Sequence, residues 1–255
     1  MKPILAAQLY TLRDFTQTAA DLRQTLQKVR RIGYTSVQLS AVGPIPAEEV
    51  KSALDEAGLS VCITHTAYPR LLDDLDAVIA EHELWGCSRV GLGHMPREFI
   101  SADEADFLAF AKILNEIGAR LHDAGLSFHY HNHSFEFVRF GDRNGLELLF
   151  AETNPAYVKA ILDTYWVQHG GADSVDWVHR LAGRMDVIHL KDMVIQERQQ
   201  VMAEVGQGNL NWPGILAACA ETGVAYAAVE QDICQRDPFE SMAMSYNYLK
   251  EQGLS

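Results

Sequence analysis

Six stretches of the chain repeat one pattern, and that pattern constrains the fold more than anything else in the sequence. In "RRIGYTSVQLS", "DEAGLSVCITH", "LWGCSRVGLGH", "HDAGLSFHYHNH", "LAGRMDVIHLKD" and "ETGVAYAAVEQD" a helical stretch ends at a glycine, a short apolar run follows, and polar residues close it. Glycine is favoured just past a helix C-terminus because it adopts the left-handed backbone without steric cost. Each unit therefore reads helix, cap, buried strand. Between the units, Leu22, Leu26, Val29 and Ile32 form one apolar stripe at helical spacing, and Phe107, Phe110, Leu114, Ile117 and Leu121 form another. Ser101 and Glu104 have the spacing of a capping box at the start of the second helix.

With the opening run "PILAAQLY" and with "VKAILD", the pattern predicts eight strands, near residues 3–10, 35–40, 60–65, 88–93, 126–133, 157–163, 185–191 and 225–231. Eight units in 255 residues come to about 32 residues each, the size of one unit of a (β/α)8 barrel. No Pro/Gly/Ser linker or low-complexity stretch marks a boundary, so the expectation is a single α/β TIM-barrel domain over residues 1–255. An open doubly wound sheet is the alternative, but eight successive strand–helix units favour closure.

Composition removes several classes of function. The net charge is −13, from 21 basic and 34 acidic residues, with no Lys/Arg stripe to neutralise phosphates, so nucleic acid and anionic membranes are poor partners. Cys62, Cys87, Cys219 and Cys234 are too far apart for a CxxC site and too few for a disulfide framework, and read as reduced thiols. The start lacks the apolar core of a signal peptide, and no apolar run approaches the roughly 20 residues that span a bilayer. The expected location is the cytoplasm.

In a barrel of this kind the functional residues lie at the C-terminal ends of the strands. Those ends carry Gln8 and Tyr10, Gln38, His65, His94, His131 and His133, Asp163, His189 with Lys191, and Glu230 with Asp232. Within "FHYHNHSFEF", His129, His131 and His133 alternate and would share one face of a strand. Taken singly, a strand-end Asp most often caps the next helix, and a lone His is more often a hydrogen-bonded core residue than a ligand. Pressed together on four adjacent strands, the fifth to the eighth, such carboxylates and imidazoles lose solvation or repel unless a cation compensates them. A divalent metal is the economical resolution.

The marks "QLYTLRD", "YHNHSFEF", "ILDTYW", "IHLKD", "VGQGNLNW" and "VEQD", spread over essentially the whole chain, resemble those of the xylose-isomerase-like TIM barrels. That group holds sugar isomerases and epimerases, inosose dehydratases and apurinic-endonuclease relatives. The resemblance implies one divalent ion, Mn2+ first, with Mg2+, Co2+, Zn2+ or Fe2+ as other candidates. In the family it is held by Glu, Asp, His and Glu at the ends of strands five to eight, of which the second to fourth match Asp163, His189 and Glu230. The first ligand departs from the pattern, because His131 stands where many relatives have Glu and the nearest carboxylate is Glu136. Either His131 binds the ion, or Glu136 reaches it and the histidines face the substrate. Glu136 is preferred, since it keeps a hard oxygen donor. Trp166 is a second departure, standing where several epimerases have a substrate-holding His; it offers a flat wall and one donor, or simply core.

The resemblance further implies a small carbohydrate or polyol substrate, a metal acting as Lewis acid on an enediolate, and Glu230 as the base. His131, His133 or His65 would return the proton or protonate a departing hydroxyl, and Tyr10, His94, His133, Trp166 and Lys191 would contact the substrate. The readings in order are a sugar isomerase or epimerase acting on a keto-sugar, a lyase or dehydratase acting on a keto-inositol or 3-keto-glycoside, and a non-catalytic sugar-binding barrel. Family members are often dimers or tetramers, so the resemblance allows a homo-oligomer, yet no helix advertises an exposed apolar face. The glycines of "VGQGNLNW" have the spacing of an anion-binding loop, but a tight turn into a helix capped by Asn211, with Pro213 in its first turn, explains them as well.

Overall fold

The computed structural model describes residues 2–100 and 103–254. Eight parallel strands form its main sheet: β1 (Ile4–Gln8), β2 (Ser36–Leu39), β3 (Ser60–Thr64), β4 (Arg89–Leu92), β5 (Ser127–His131), β6 (Val158–Asp163), β7 (Val187–Leu190) and β8 (Tyr226–Val229). Their order is β3-β2-β1-β8-β7-β6-β5-β4, so each strand lies beside its neighbour in sequence and β8 pairs with β1. The two ends of that order meet where the Thr66 amide donates to Gly91 O at 2.7 Å, and the sheet curls into a nearly closed (β/α)8 barrel. The approach needs glycine there: a Cβ on Gly91 would lie 2.3 Å from Thr64 O. Closure, not an open sheet, is what the chain adopts.

The helices are α1 (Ala19–Ile32), α2 (Ala47–Ala57), α3 (Tyr68–Asp73), α4 (Leu75–Trp85), α5 (Glu104–Asp123), α6 (Gly145–Glu152), α7 (Thr164–His169), α8 (Ser174–Arg180), α9 (Trp212–Thr222) and α10 (Pro238–Glu251). The six glycines of the repeated pattern, Gly33, Gly58, Gly86, Gly125, Gly183 and Gly223, all have positive φ, between 64° and 131°. Gly33, Gly58, Gly86 and Gly223 cap α1, α2, α4 and α9, whereas Gly125 and Gly183 follow the caps Ala124 and Leu181 and turn the chain towards the next strand. The five apolar residues of the α5 stripe are buried against β4, β5 and α6, and truncating either of its phenylalanines to Ala would cost about 3–5 kcal/mol. Ser101 lies outside the described residues; α5 is capped by Asp103, whose Oδ1 accepts from the Ala105 amide at 2.9 Å.

Ala6, Cys62, Ile63, Ile161, Val187 and Ala228 pack as one cluster inside the barrel. Below them, at the N-terminal side, Asp186 lies 2.8 Å from Arg89, 3.6 Å from His129 and 3.8 Å from Lys159. Above them stand the strand-end residues. A hairpin not anticipated from sequence, Asp192–Gln196 with Gln199–Ala203, follows β7. No helix among the described residues is long and apolar enough to cross a membrane.

Candidate active site

At the C-terminal ends of β5 to β8, His131, Asp163, His189 and Glu230 each bring one ligand atom within 4.8 Å of the other three, and all four are buried. His131 Nε2 is 3.2 Å from Asp163 Oδ2, and His189 Nδ1 is 2.9 Å from Glu230 Oε2 and 3.7 Å from Asp163 Oδ2. Parallel strands in register deliver them, since Asp163 pairs directly with His189 and His131 with Ile161.

Each residue of the group spends its other polar atom on the scaffold. His131 Nδ1 donates to Gly93 O at 3.0 Å, and His189 Nε2 donates to Gln38 Oε1 at 2.7 Å. Asp163 Oδ1 accepts from the Trp166 amide at 3.0 Å, so this strand-end Asp caps α7 while Oδ2 faces the group. Glu230 Oε1 accepts from Gln8 Nε2 at 2.9 Å. Burial keeps His131 neutral, so with its proton on Nδ1 it turns a lone pair on Nε2 towards Asp163; Glu230 and Asp163 raise the pKa of His189 against its burial and favour a proton on Nδ1, the position a metal would take. Lone pairs facing carboxylate oxygens call for positive charge between them, and this donor set and orientation could hold a divalent metal. Two imidazoles and two carboxylates suit Mn2+, Fe2+, Co2+ or Zn2+.

Lys191 adds the remaining charge. Its buried Nζ lies 3.1 Å from Asp163 Oδ2, 2.9 Å from Glu230 Oε2 and 2.9 Å from Asp232 Oδ1. With neutral imidazoles, three carboxylates against one ammonium leave two negative charges, the complement of one divalent cation. Burial alone would discharge Lys191, but Asp163, Glu230 and Asp232 raise its pKa and keep it an ammonium. Burial likewise opposes ionisation of Asp163 and Glu230, and Lys191 with the neighbouring imidazoles overrides it, holding both well below the usual carboxylate range. Asp232 is pushed up to about 6 by burial and by Glu230.

The group opens onto a cavity of about 360 Å3 whose lining includes Tyr10, His65, His94, His133, Lys191 and Asp232. His65 turns Nδ1 towards Ser40 Oγ (3.2 Å) and Gln8 Nε2 (3.5 Å), leaving Nε2 buried without a protein partner. Burial and the neighbouring histidines lower its pKa, so it faces the cavity as a neutral ring. His133 Nδ1 is also buried and unpartnered, and its ring packs 4.7 Å from that of His94. Trp166 stands behind this wall, 5.2 Å from the His133 ring and 5.5 Å from Lys191 Nζ, and packs on the core rather than lining the cavity.

Glu136 departs from the expectation made for it. It is fully buried in a turn after β5, where Oε1 accepts from the Tyr130 hydroxyl at 2.5 Å and Oε2 from the His133 amide at 2.9 Å. Both oxygens thus tie down the loop that carries His133, and His131 takes the place among the ligand atoms. Two phenylalanines flanking a glutamate gave no sign that the chain turns there. Gln8 and Gln38 stood out as strand-end polar residues without a role, and here they orient Glu230 and His189. Gly93 acts through its carbonyl, which no side-chain pattern announces.

The loop "VGQGNLNW" is also resolved by an unexpected partner. Asp192, fully buried, accepts from the amides of Gly206 (2.9 Å), Gly208 (3.0 Å) and Leu210 (3.3 Å) and from Trp212 Nε1 (2.6 Å). The amides that the glycine spacing offered to an anion are spent on the protein's own carboxylate. Asn211 then caps α9, accepting from the Gly214 amide at 3.2 Å.

Comparison with known proteins places this geometry. Over 168 residues the chain is 25% identical to the inosose dehydratase of Clostridium beijerinckii, covering 59% of this chain and 56% of that protein. It is 27% identical over 164 residues to the inosose dehydratase of Mesomycoplasma hyopneumoniae strain 7448, covering 57% and 54%. The chain thus spans about half the length of these curated relatives. Among solved structures it is similar in fold to a sugar phosphate isomerase/epimerase from Parabacteroides distasonis, with a TM-score of 0.80 at 24% identity over 99% of this chain and 95% of that one. The probable 3-DHS dehydratase AsbF from Bacillus anthracis gives a TM-score of 0.75 at 12% identity over 98% and 99%. The family description "xylose isomerase-like TIM barrel" matches residues 26–238, and the chain belongs to that family.

Proposed function

We propose that this protein is a divalent-metal-dependent lyase that eliminates water or an alkoxide from a keto-polyol or keto-sugar. One observation carries the reading. Among the described residues, the acids that line the cavity are Glu230, which offers one of the ligand atoms, and Asp232 beside it, joined through Lys191. On the other side of the group, where an epimerase-type second base would stand, His131 has one nitrogen on Gly93 O and the other directed at Asp163. Inverting a carbon centre needs a base on each face; an elimination needs one base and one acid.

The bound ion would supply Lewis-acid stabilisation of negative charge on the substrate carbonyl oxygen. Glu230, oriented by Gln8, removes the proton from the adjacent carbon. The electron pair left on that carbon forms the new double bond as the next C–O bond breaks. Asp232, whose Oδ1 is held by Lys191, passes a proton from its other oxygen to the departing oxygen. The Lys191 ammonium and the unpartnered His65 Nε2 offer hydrogen bonds to substrate oxygens. Consumption of the loop amides by Asp192 supports an unphosphorylated substrate, and the inosose dehydratase relatives support the reaction class.

A second reading, isomerisation or epimerisation, uses the same residues with the proton returned to carbon. Asp232, a second proton carrier joined to Glu230 through Lys191, supports return of the proton on one face, as an isomerase needs, and not inversion of a centre. Incubating Mn2+-loaded protein with a keto-inositol in D2O and analysing by mass spectrometry separates the two. Loss of water is the expected result. Deuterium at the carbon next to the carbonyl without loss of water would replace the lyase with the isomerase or epimerase, and neither event would leave a sugar-binding barrel.

A further inference from the structure

The cavity at the ligand group meets a second one, of about 550 Å3, along Ser40, Ala41, His65, Thr66 and Ala67, which line both. Thr66 stands close to the ligand group, since the ring of His65, the residue before it, lies 5.2 Å from that of His131 and 5.4 Å from that of His189. Its hydroxyl is also the last member of a chain of hydrogen bonds that begins on α4. His82 Nδ1 lies 2.7 Å from Val78 O, His82 Nε2 lies 2.9 Å from Thr64 Oγ1, and Thr64 Oγ1 lies 3.0 Å from Thr66 Oγ1. His82, Thr64 and Thr66 are all buried.

The sense of that chain follows from its first link. A carbonyl oxygen only accepts, so the His82 proton sits on Nδ1. Burial lowers the pKa of His82 and keeps the ring neutral, so Nε2 carries a lone pair and accepts from the Thr64 hydroxyl. Thr64 has one proton, and it points at His82. The bond between the two threonines is therefore donated by Thr66, whose own proton is held there in turn. What Thr66 turns to the cavities is a lone pair: it accepts a hydrogen bond and has none to give.

His65 has the opposite sense. The Gln8 side-chain oxygen accepts from the Tyr10 amide at 2.7 Å, so Nε2 is the Gln8 atom that lies 3.5 Å from His65 Nδ1. A donor there calls for a lone pair on Nδ1, which puts the His65 proton on Nε2, the buried atom without a protein partner. Two consecutive residues past β3 thus offer one donor and one acceptor, the complement of a hydroxyl group, which is both.

We infer that Thr66 is a specificity-determining residue that selects a substrate hydroxyl at the junction of the two cavities and rejects a carbonyl, ether or fluorine there. A keto-polyol then binds one way round, its carbonyl towards the ligand group and a hydroxyl on Thr66, because two acceptors facing each other in a buried site repel. This rests on the sugar-site reading above and narrows it to substrates with a free hydroxyl at that position.

Two measurements test this. In protein labelled with 15N-histidine, NMR at neutral pH should show His82 as the neutral ring with its proton on Nδ1; a proton on Nε2 would reverse the chain and overturn the inference. With Mn2+-loaded protein, a keto-inositol is compared with its monofluoro-deoxy derivatives by Kd, or by KM for a probe that turns over. At least one derivative should bind ~10-fold or more weakly than the keto-inositol. Thr66→Val, which removes the acceptor, and Thr64→Val, which frees the Thr66 proton to turn to the cavity, should each bring that ratio to near unity. Thr64→Ser keeps the chain and should keep the ratio of the parent. A Thr64→Val protein found unfolded by circular dichroism leaves Thr66→Val to decide. A ratio unchanged in folded Thr66→Val, or no weakened derivative in the parent, would overturn the selection while leaving the sugar site standing. If the keto-inositol itself does not bind, the sugar-site reading has failed and the selection falls with it.

Discussion

His189 donates from Nε2 to Gln38 Oε1 at 2.7 Å, and this bond, made on β2, decides which nitrogen a residue of β7 turns towards Asp163 and Glu230. Gln38→Leu keeps the volume and removes the acceptor, freeing the ring to rotate or change tautomer. Affinity for Mn2+ should fall about 10- to 100-fold, while Gln38→Glu retains most of it. Titration calorimetry checks this; unchanged binding in Gln38→Leu would show that the ring orients itself.

Glu230 and Asp232 share Lys191 but differ in place, since only Glu230 offers an atom to the ligand group. Glu230→Gln should lower metal affinity and kcat together. Asp232→Asn should lower kcat by about 100-fold with metal affinity within a few-fold of the parent, the loss associated with one general acid. Steady-state kinetics beside metal titration separate the two, and an Asp232→Asn protein of full activity would remove it from the mechanism.

His129 shares the strand of His131 but points into the polar layer at the other end of the barrel. Burial lowers its pKa from 6.5 to about 4, only partly opposed by Asp186. A depressed folded-state pKa on a base means that the unfolded chain binds the proton first, so stability is intact above pH 6.5 and is lost as pH falls from there to about 4. At 1.36 kcal/mol per pKa unit the loss is on the order of 3 kcal/mol. Urea denaturation at pH 7 and pH 5 should show the decline, and His129→Gln should flatten it; an equally steep decline in that variant would place the titrating group elsewhere.

Asp192 organises a loop through five donors, its own neighbour Met193 (2.8 Å) included with the four from residues 206–212. Asp192→Ala would leave those buried donors without a partner, at a cost of about 3–5 kcal/mol by denaturant titration. Inorganic phosphate at millimolar concentration should neither stabilise nor inhibit the parent protein. Protection by phosphate would mean that the loop amides still bind anions.

The eight strands, six glycines of positive φ near helix ends and two apolar stripes were legible because they depend on local backbone preference and on hydrophobic period, both written along the chain. Asp163, His189 and Glu230 were legible for a related reason: a barrel turns the residue at each strand end towards one rim. Only the tertiary structure puts an atom of His131, and not of Glu136, beside those of Asp163, His189 and Glu230. A few ångströms and the competing claims of Tyr130 and the His133 amide draw Glu136 into the loop, and no sequence spacing encodes such competition. The roles of Gln8, Gln38 and Gly93 were hidden in the same way, as was the capture of the loop amides by Asp192. Hydrogen bonds between residues far apart in sequence depend on which atoms the finished fold leaves unsatisfied, and that is decided only once the barrel has closed.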